Sequence, residues 1–356
     1  MAMPPPLAPG VYVDELTFHS KPIEGVATSA TGFIAGDQRG PVLGPITSFA
    51  EFLQVVGPNP SVNLFAAVRG FFDNGGRICY VARIGPGDPL QLGLQDLADR
   101  PISIVCSPDE YKFSNAAAVI TAECENRKDR FAILQSPQPV IPTPSHQVPV
   151  HSSFAAYYHP WIITRAPAGA TTVTVPPCGH IAATFVRTDE QRGVWVSPAN
   201  AVLLDVTGFS QAFTAAETNL LTSRGINLLE NLSPQGFVVT SAETTSQDSL
   251  WKYVNVRRFM IYLEQSMRKG LQWVVFESNG PALWEIVRRI VVRFMVFTWK
   301  QGAFKTETQE DSFFVRCDQE TMTQNDISSG RLVCLVGVAP SNPAEFIVIR
   351  ITIQTQ

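Results

Sequence analysis

The final eleven residues of the chain, FIVIRITIQTQ, alternate between two sets of side chains with a period of two. This pattern, rich in β-branched residues, predicts a strand of roughly 36 Å at about 3.3 Å per residue. A strand needs partners for its backbone donors and acceptors, and neither a turn nor another strand follows in the sequence. We therefore expect the segment to pair with another copy of the chain. The residues concerned are Phe346, Ile347, Val348, Ile349, Arg350, Ile351, Thr352 and Ile353.

The chain is weakly charged. Charged residues make up 16% of its 356 residues and hydrophobic ones 45%, against about 25% charged in typical globular proteins. Two explanations are open: a surface largely covered by other subunits, or a large apolar core. The length allows two domains. A net charge of −4 offers no overall attraction for nucleic acid or an anionic membrane.

The six cysteines contain no CxxC pair, which favours buried, reduced thiols over a disulfide framework or a zinc site. The start, MAMPPPLAPG, has neither a basic nor an apolar leader segment, so we expect no signal peptide. The most apolar stretch, residues 283–299, contains three arginines and is therefore not expected to span a membrane.

Helical and strand patterns alternate along the chain and predict a mixed α/β (α+β) fold. Proline recurs between 135 and 149, which indicates a loop, and residues 172–200 read as strands with a charged loop. Helices are predicted over 47–57, 62–72, 248–269 and 279–300. Strands are predicted over 11–16, 77–84, 271–277, 312–318 and 330–340.

The sequence lacks the common catalytic and phosphate-binding motifs. The sequence holds no GxSxG, no phosphate-binding GxxxxGK[ST] and no HExxH, and GPGDP (85–89) reads as a turn. Cys178 and His180 lack a second ligand pair at zinc spacing. Asp189 and Glu190 read as salt-bridged loop residues rather than an acid pair. We predict no catalytic residue, metal or cofactor, although an α/β enzyme whose site assembles only on folding remains an alternative.

The long helix over 279–300 carries a polar stripe. Glu285, Arg289 and Arg293 follow at intervals of four, and Lys300 lies near the same stripe, with apolar residues including Phe297 elsewhere around the helix. Such a stripe suits contact with an acidic partner, or a solvated face with an internal Glu285–Arg289 pair. The adjacent arginines of VRRF (256–259) present the same two alternatives.

An ordered set of segments resembles the contractile tail sheath proteins of phages, R-type pyocins and extracellular contractile injection systems. The resemblance extends from residue 9 to the end and is weakest between about 85 and 150. A compact single chain is most similar to the sheaths of injection systems. The matching segments include PGVYVDEL, TSATGFIAGDQRGP, ITSFAEFLQVVG, FFDNGGRICYVARI, YYHPWIIT, VPPCGHIAATFVRTDEQRGVWVSPAN, WKYVNVRRFMIYLEQS and PAEFIVIRI.

This resemblance implies hexameric rings stacked helically around an inner tail tube, with baseplate and terminal cap proteins as further partners. It implies contraction without nucleotide, no nucleic-acid partner and no direct, stable membrane insertion. The subunit would assemble in the cytoplasm and form part of a phage tail or tail-like particle. A tail tube or baseplate component is the alternative within the same class.

The resemblance also implies a compact sheath fold with an outer domain, an inner C-terminal domain and terminal strands that complete sheets between subunits. We divide the chain into an N-terminal arm (1–22), an outer domain (23–200, with its proline-rich loop at 136–150), an inner domain (201–340) and a C-terminal exchange strand (341–356). The arm contributes Val11, Tyr12, Val13 and Glu15 to strand exchange. The tube is expected to contact Glu285, Arg289, Arg293 and Lys300.

Overall fold

The computed structural model describes residues 21–57, 60–166, 171–304, 306, 308–340 and 346–355. The arm strand predicted over 11–16, with Val11, Tyr12, Val13 and Glu15, lies outside the described residues. Within them, helices and strands intermix, which confirms the mixed α/β class.

The secondary structure has fifteen strands and ten α-helices among the described residues. The strands are β1 (Ala30–Gly36), β2 (Leu43–Ile46), β3 (Ile78–Ile84), β4 (Ile104–Cys106), β5 (Phe131–Gln135), β6 (Ala155–His159), β7 (Ile162–Arg165), β8 (Thr172–Val175), β9 (Ala201–Val202), β10 (Val206–Phe209), β11 (Ile226–Leu232), β12 (Gly236–Val239), β13 (Phe313–Arg316), β14 (Arg331–Val338) and β15 (Ile347–Gln354). The helices are α1 (Phe49–Val55), α2 (Val62–Asp73), α3 (Leu90–Asp96), α4 (Ala116–Arg127), α5 (Cys178–Arg192), α6 (Ala215–Ser223), α7 (Val254–Gly270), α8 (Pro281–Lys300), α9 (Gln309–Ser312) and α10 (Gln324–Ser328). Short 3₁₀ segments lie at Glu110–Lys112, Thr143–Ser145, Ser249–Trp251 and Gln272–Phe276.

A nine-stranded sheet in the order β2-β3-β1-β4-β5-β6-β11-β12-β9 forms the first core. Its six central strands, β3 to β11, run parallel. Parallel strands are normally covered on both faces and read as continuous apolar runs. Accordingly, Phe33, Ile34 and Ala35 of β1 are all fully buried. A small antiparallel sheet, β10-β7-β8, contributes Ile162, Val175 and Val206 to the same core.

The second core lies between α7, α8 and the antiparallel sheet β13-β14-β15. In β15 the buried side chains alternate with exposed ones, as the period of two requires. The central strand β14 also buries consecutive residues, Leu332, Val333 and Cys334. Across the middle of the sheet, Val315 lies opposite Val336, which lies opposite Ile349. The terminal strand thus supplies one edge of a hydrophobic core.

Two sequence predictions are wrong. Residues 172–200 begin with a strand, β8, as predicted, but continue as the helix α5 instead of a second strand and a charged loop; α5 ends at Arg192, before Gly193 with φ 93°. Residues 271–277 form a 3₁₀ segment directly after α7, where Phe276 is 72% exposed, instead of a buried strand. An apolar run without clear periodicity does not by itself distinguish a strand from a helical turn.

The four helices predicted from periodicity correspond to α1, α2, α7 and α8, and are confirmed. Strands predicted over 77–84, 312–318 and 330–340 are also confirmed as β3, β13 and β14. Among the described helices, none combines the length and apolar character that a membrane span needs.

Candidate assembly surfaces

The terminal strand β15 has a partner in its own chain. It runs antiparallel to β14 in a register that extends from Val338↔Ile347 to Arg331↔Gln354. The interpretation that this strand lacks an intramolecular partner is therefore wrong. The partner, β14, directly precedes β15 in the sequence and was itself predicted as a strand over 330–340. A period-two pattern does not indicate which strands pair, so the pairing was not recognised.

The two faces of β15 have the character predicted from the sequence. Ile347, Ile349 and Ile353 are buried at 8–9% exposure, whereas Val348 is 52% exposed. Beyond the strand, the Thr355 N–H donates to the Gly330 carbonyl oxygen at 2.7 Å. The buried isoleucines therefore hold one face of β15 in the core, and the hydrogen bond from Thr355 fixes the end of the strand.

The other edge of β15 pairs with no strand among the described residues, because β15 is the last strand in its sheet. A groove of about 830 Å³ runs beside it. Its walls combine residues 348–354 with the end of α4 and the end of α7. An edge strand of this kind presents unpaired backbone N–H and C=O groups to any extended segment that enters the groove.

Positive charge predominates in this groove. Lys128, Arg268 and Arg350 line it, and none of them has a carboxylate within 4 Å among the described residues. Arg127 also lines the groove but pairs with Asp129 at 3.0 Å. The acidic lining residue is Glu264, whose pKa is raised by burial. The sequence patterns did not point to Lys128 or Arg268, because the fold brings them to β15 from distant helices.

The polar stripe on α8 is exposed as expected. Glu285 pairs with Arg288 at 3.0 Å and with Arg289 at 3.7 Å, and hydrogen bonding from Arg288 lowers the pKa of Glu285. Arg293 and Lys300 are exposed. Within the described part of the chain, neither approaches a carboxylate within 4 Å. The internal pair is present, but exposed pairs of this kind contribute only about 0–1 kcal/mol.

Phe297 lies on this same face of α8 and is 57% exposed. Its predicted position elsewhere around the helix is wrong, since it follows Arg293 by one turn. The exposed face therefore combines cations with one large aromatic ring, a composition typical of protein-contact surfaces.

The arginines of VRRF are buried, so neither interpretation offered for them holds. Arg258 makes a bidentate pair with Asp189 of α5, with nitrogen–oxygen distances of 2.6 and 2.8 Å. The Arg257 guanidinium lies 3.5 Å from the Trp251 ring centroid and 4.3 Å from that of Phe154. Both side chains connect α7 to residues of the first core.

Asp189 and Glu190 do not act together as an acid pair. Asp189 and Glu190 lie on α5, not in a loop, and point to different partners. Asp189 binds the buried Arg258, while Glu190 binds the exposed Arg77 at 2.9 Å. Salt bridging of both carboxylates is confirmed, and their placement in a loop is wrong.

Cys178 and His180 also lie on α5 and are buried. Neither ring nitrogen of His180 has a hydrogen-bond partner within the described residues, and burial lowers its pKa to about 4. No group of three potential metal ligands occurs in the described part of the chain.

Polar side chains also fill the carboxyl edge of the parallel sheet, where ligands bind in many α/β enzymes. Here they bind one another: His159 contacts the Ser136 hydroxyl at 2.8 Å and His146 contacts the Tyr157 hydroxyl at 3.0 Å. Burial lowers the pKa of His146 to about 4 and that of His159 to about 3. Burial also raises the pKa of Glu110, a neighbour in this region, to about 8. The arrangement is that of a packed polar interior.

Comparison with known proteins matches nearly the whole chain. Models of the phage tail sheath protein central domain and the phage tail sheath C-terminal domain match residues 86–245 and 246–354. The helical sheath of the anti-feeding prophage, in its contracted state, is 29% identical, with a TM-score of 0.79 over 96% of this chain and 98% of that chain. The contracted sheath of PVC, an extracellular contractile injection system, is 25% identical, with a TM-score of 0.79 over 98% of both chains.

The tail sheath protein of Vibrio phage KVP40 is 27% identical over 181 residues, which cover 49% of this chain and 26% of that protein. The chain spans less than half the length of the curated relatives it matches. The two adjoining family models together cover residues 86–354, and the resemblance read from the sequence is confirmed. The chain belongs to the family of contractile tail sheath proteins.

Proposed function

We propose that this chain is a structural subunit that polymerises into helically stacked hexameric rings around an inner tube and contracts to drive the tube through a target membrane. The observation that carries this proposal is the edge strand β15. It pairs with β14 along one edge, and its other edge faces a basic groove and pairs with no strand among the described residues. The similarity to sheaths in contracted assemblies supports it. Baseplate and terminal cap proteins are further partners in this proposal.

Strand exchange between copies is the proposed link within the polymer. The open edge of β15 would receive the arm strand of a neighbouring copy, residues 11–16. Main-chain hydrogen bonds would supply the affinity, and alternate side chains the specificity. The arm carries Asp14 and Glu15, whose charges are opposite to those of Lys128, Arg268 and Arg350 in the groove. This complementarity supports an arm as the occupant.

The exposed face of α8 is the proposed contact with the tube. Arg289, Arg293 and Lys300 would meet acidic groups of the tube protein, with Phe297 between them and Glu285 at the margin. Exposed charges contribute little each and are screened by salt. A contact of this strength could hold a tube in place and still break during contraction.

We further propose that the body comprises an outer domain (23–200) and an inner domain (201–340), and that neighbouring subunits move relative to one another as whole bodies. The described chain has two hydrophobic clusters, one around the nine-stranded sheet and one around α8 and β14. The first cluster also includes Ile226 and Leu228 of β11 and Val239 of β12, so the clusters support two cores and not a boundary at residue 200. Assembly in the cytoplasm and a place in a phage tail or tail-like particle belong to the same proposal. A structural role of this kind involves no catalysis.

The test is polymerisation of purified chain, observed by negative-stain microscopy and sedimentation. Arg350→Glu should keep the core side of β15 intact but reverse a groove charge, so we expect folded subunits with strongly reduced polymer. Arg316→Glu is the matched control, because Arg316 is exposed at the opposite edge of the same sheet.

Deletion of residues 346–356 removes the edge itself and should abolish polymer, at a cost in stability because buried isoleucines are lost. Normal cylinders from the deleted chain would refute strand exchange. Normal cylinders from Arg350→Glu alone would refute only the role of groove charge. A discrete small oligomer of the unaltered chain at every concentration would refute the polymer.

A further inference from the structure

Two cysteines face each other across the sheet of the second core. Val315 lies opposite Val336, and Arg316 lies opposite Leu335. The next residues in this register are Cys317 and Cys334. Their side chains are buried, at 3% and 0% exposure. Cys124, which is also buried, lies on α4 in the first core.

The register suits a covalent link between these two thiols. Directly opposite residues of an antiparallel pair project from the same face, with Cβ atoms about 4.5–5.5 Å apart. A disulfide needs Cβ atoms about 3.5–4.5 Å apart and Cα atoms about 4.4–6.8 Å apart. A small approach of two neighbouring strands is therefore sufficient, without a change of register.

We propose that Cys317 and Cys334 form a reversible dithiol–disulfide pair that small, uncharged two-electron oxidants convert. With an azodicarboxamide such as diamide, one thiol adds across the N=N bond and forms a sulfur–nitrogen bond. The second thiolate attacks that sulfur, the sulfur–sulfur bond forms and the sulfur–nitrogen bond breaks. The released hydrazine carries away the two electrons and the two thiol protons.

The buried position sets when this reaction occurs. The neighbouring Cys317 thiol, together with burial, raises the pKa of Cys334, and the thiolate is the reactive form. Cys317 directly follows the last paired residue of β13, so separation of that strand end exposes the pair to oxidant. Oxidation of this pair is therefore expected to be slower than oxidation of an exposed thiol, and each of the two cysteines is expected to form a disulfide only with the other.

The location of the link matters for assembly. A Cys317–Cys334 disulfide joins β13 to β14 and leaves β15 without a covalent bond. In strand exchange by β15, which rests on the proposed function, the disulfide would link β13 covalently to β14, the strand that pairs with β15. Polymerisation would then remain intact.

Mass spectrometry tests the pair directly. The full chain is treated with diamide under dilute, native conditions, denatured, alkylated with N-ethylmaleimide and digested with trypsin. Cleavage after Arg316, Arg331 and Arg350 places Cys317 in peptide 317–331 and Cys334 in peptide 332–350. We expect these two peptides to be linked, with the mass of two hydrogens lost, and to be separated by dithiothreitol.

The controls keep the proposal falsifiable. Peptide 113–127 reports Cys124, which should remain fully alkylated. Cys334→Ser should leave Cys317 alkylated and abolish the oxidant-dependent rise in melting temperature expected for the unaltered chain. Alkylation of Cys317 and Cys334 to the same extent as Cys124, or cross-links in all combinations, would overturn the proposal. Sedimentation of oxidised chain tests polymerisation separately, so failure of strand exchange would not be mistaken for failure of the pair.

Discussion

The buried ion pair between Asp189 and Arg258 gives the sharpest test of how the two cores are joined. Both side chains are 4% exposed, and the two terminal guanidinium nitrogens, Nη1 and Nη2, donate to the carboxylate at 2.8 and 2.6 Å. Arg258 also donates to the Thr28 carbonyl oxygen at 3.2 Å and lies over the Phe185 ring. Asp189→Asn keeps the shape of the side chain and removes its charge, so the guanidinium would remain buried without a counter-ion.

The expected cost follows from that burial. Breaking a buried pair by removing one partner typically destabilises a protein by about 3–5 kcal/mol, because the remaining charge is uncompensated. Glu190→Gln is the matched control, since Glu190 is the next residue and its partner Arg77 is 67% exposed. Exposed pairs contribute about 0–1 kcal/mol. Asp189→Asn should therefore lower the free energy of unfolding by at least about 2 kcal/mol more than Glu190→Gln does.

Equilibrium unfolding in urea, below the concentration of assembly, measures the difference as a shift in midpoint at constant slope. The Glu190→Gln effect should shrink in high salt, whereas the Asp189→Asn effect should not. Combining Asp189→Leu with Arg258→Met should restore most of the lost stability, because a buried pair can often be replaced by apolar groups of similar volume. Equal midpoints for Asp189→Asn and Glu190→Gln would refute the reasoning.

Three further predictions concern other parts of the molecule. Arg289→Glu with Arg293→Glu should lower the yield of tube-filled sheaths in low salt, whereas Arg165→Glu, at an exposed position of β7, should not; equal yields would remove these residues from the contact. Burial raises the pKa of Glu110 to about 8, so the folded chain holds a proton that the unfolded chain releases, and stability should fall as pH rises from about 4.5 through 8. Glu110→Gln should abolish this fall in melting temperature, and a persistent fall would contradict the assignment. Gly179→Ala should destabilise by about 1–3 kcal/mol, because the new Cβ would lie 2.0 Å from a carbonyl oxygen of α2, whereas helix propensity alone predicts a gain.

Elements with strong periodicity and clear ends could be predicted from the sequence. The Ser48 hydroxyl accepts from the Glu51 N–H at the start of α1, as a serine before a helical pattern indicates. Pro281 begins α8 after Gly280. Helix α5 was missed because its proline and glycine neighbours and its β-branched residues resemble strand and turn signals.

The assembly surfaces were predictable only in part. The alternation along β15 and the stripe on α8 are local patterns. One face of β15 and the stripe on α8 are exposed, as these patterns predict. The basic wall of the β15 groove is a tertiary feature, since Lys128 and Arg268 lie far from β15 in the sequence. The partner of β15 is the preceding strand β14, which was predicted as a strand but not as the partner. The arm strand and the division into domains stay predictions.

The burial of Arg257 and Arg258 bears on where contraction could draw its energy. The sequence pattern predicted that these arginines lie on a solvated face or contact an acidic partner, but in the fold they contact residues of the same chain. Arg258 binds α5 and Arg257 lies between two aromatic rings, so moving α7 away from the first core would expose or isolate two cations. Such a movement would be costly within each subunit, whereas the edge of β15 and the stripe on α8 are exposed and weakly compensated. Repacking at these surfaces, between neighbours, is therefore the less costly source of a change in sheath length.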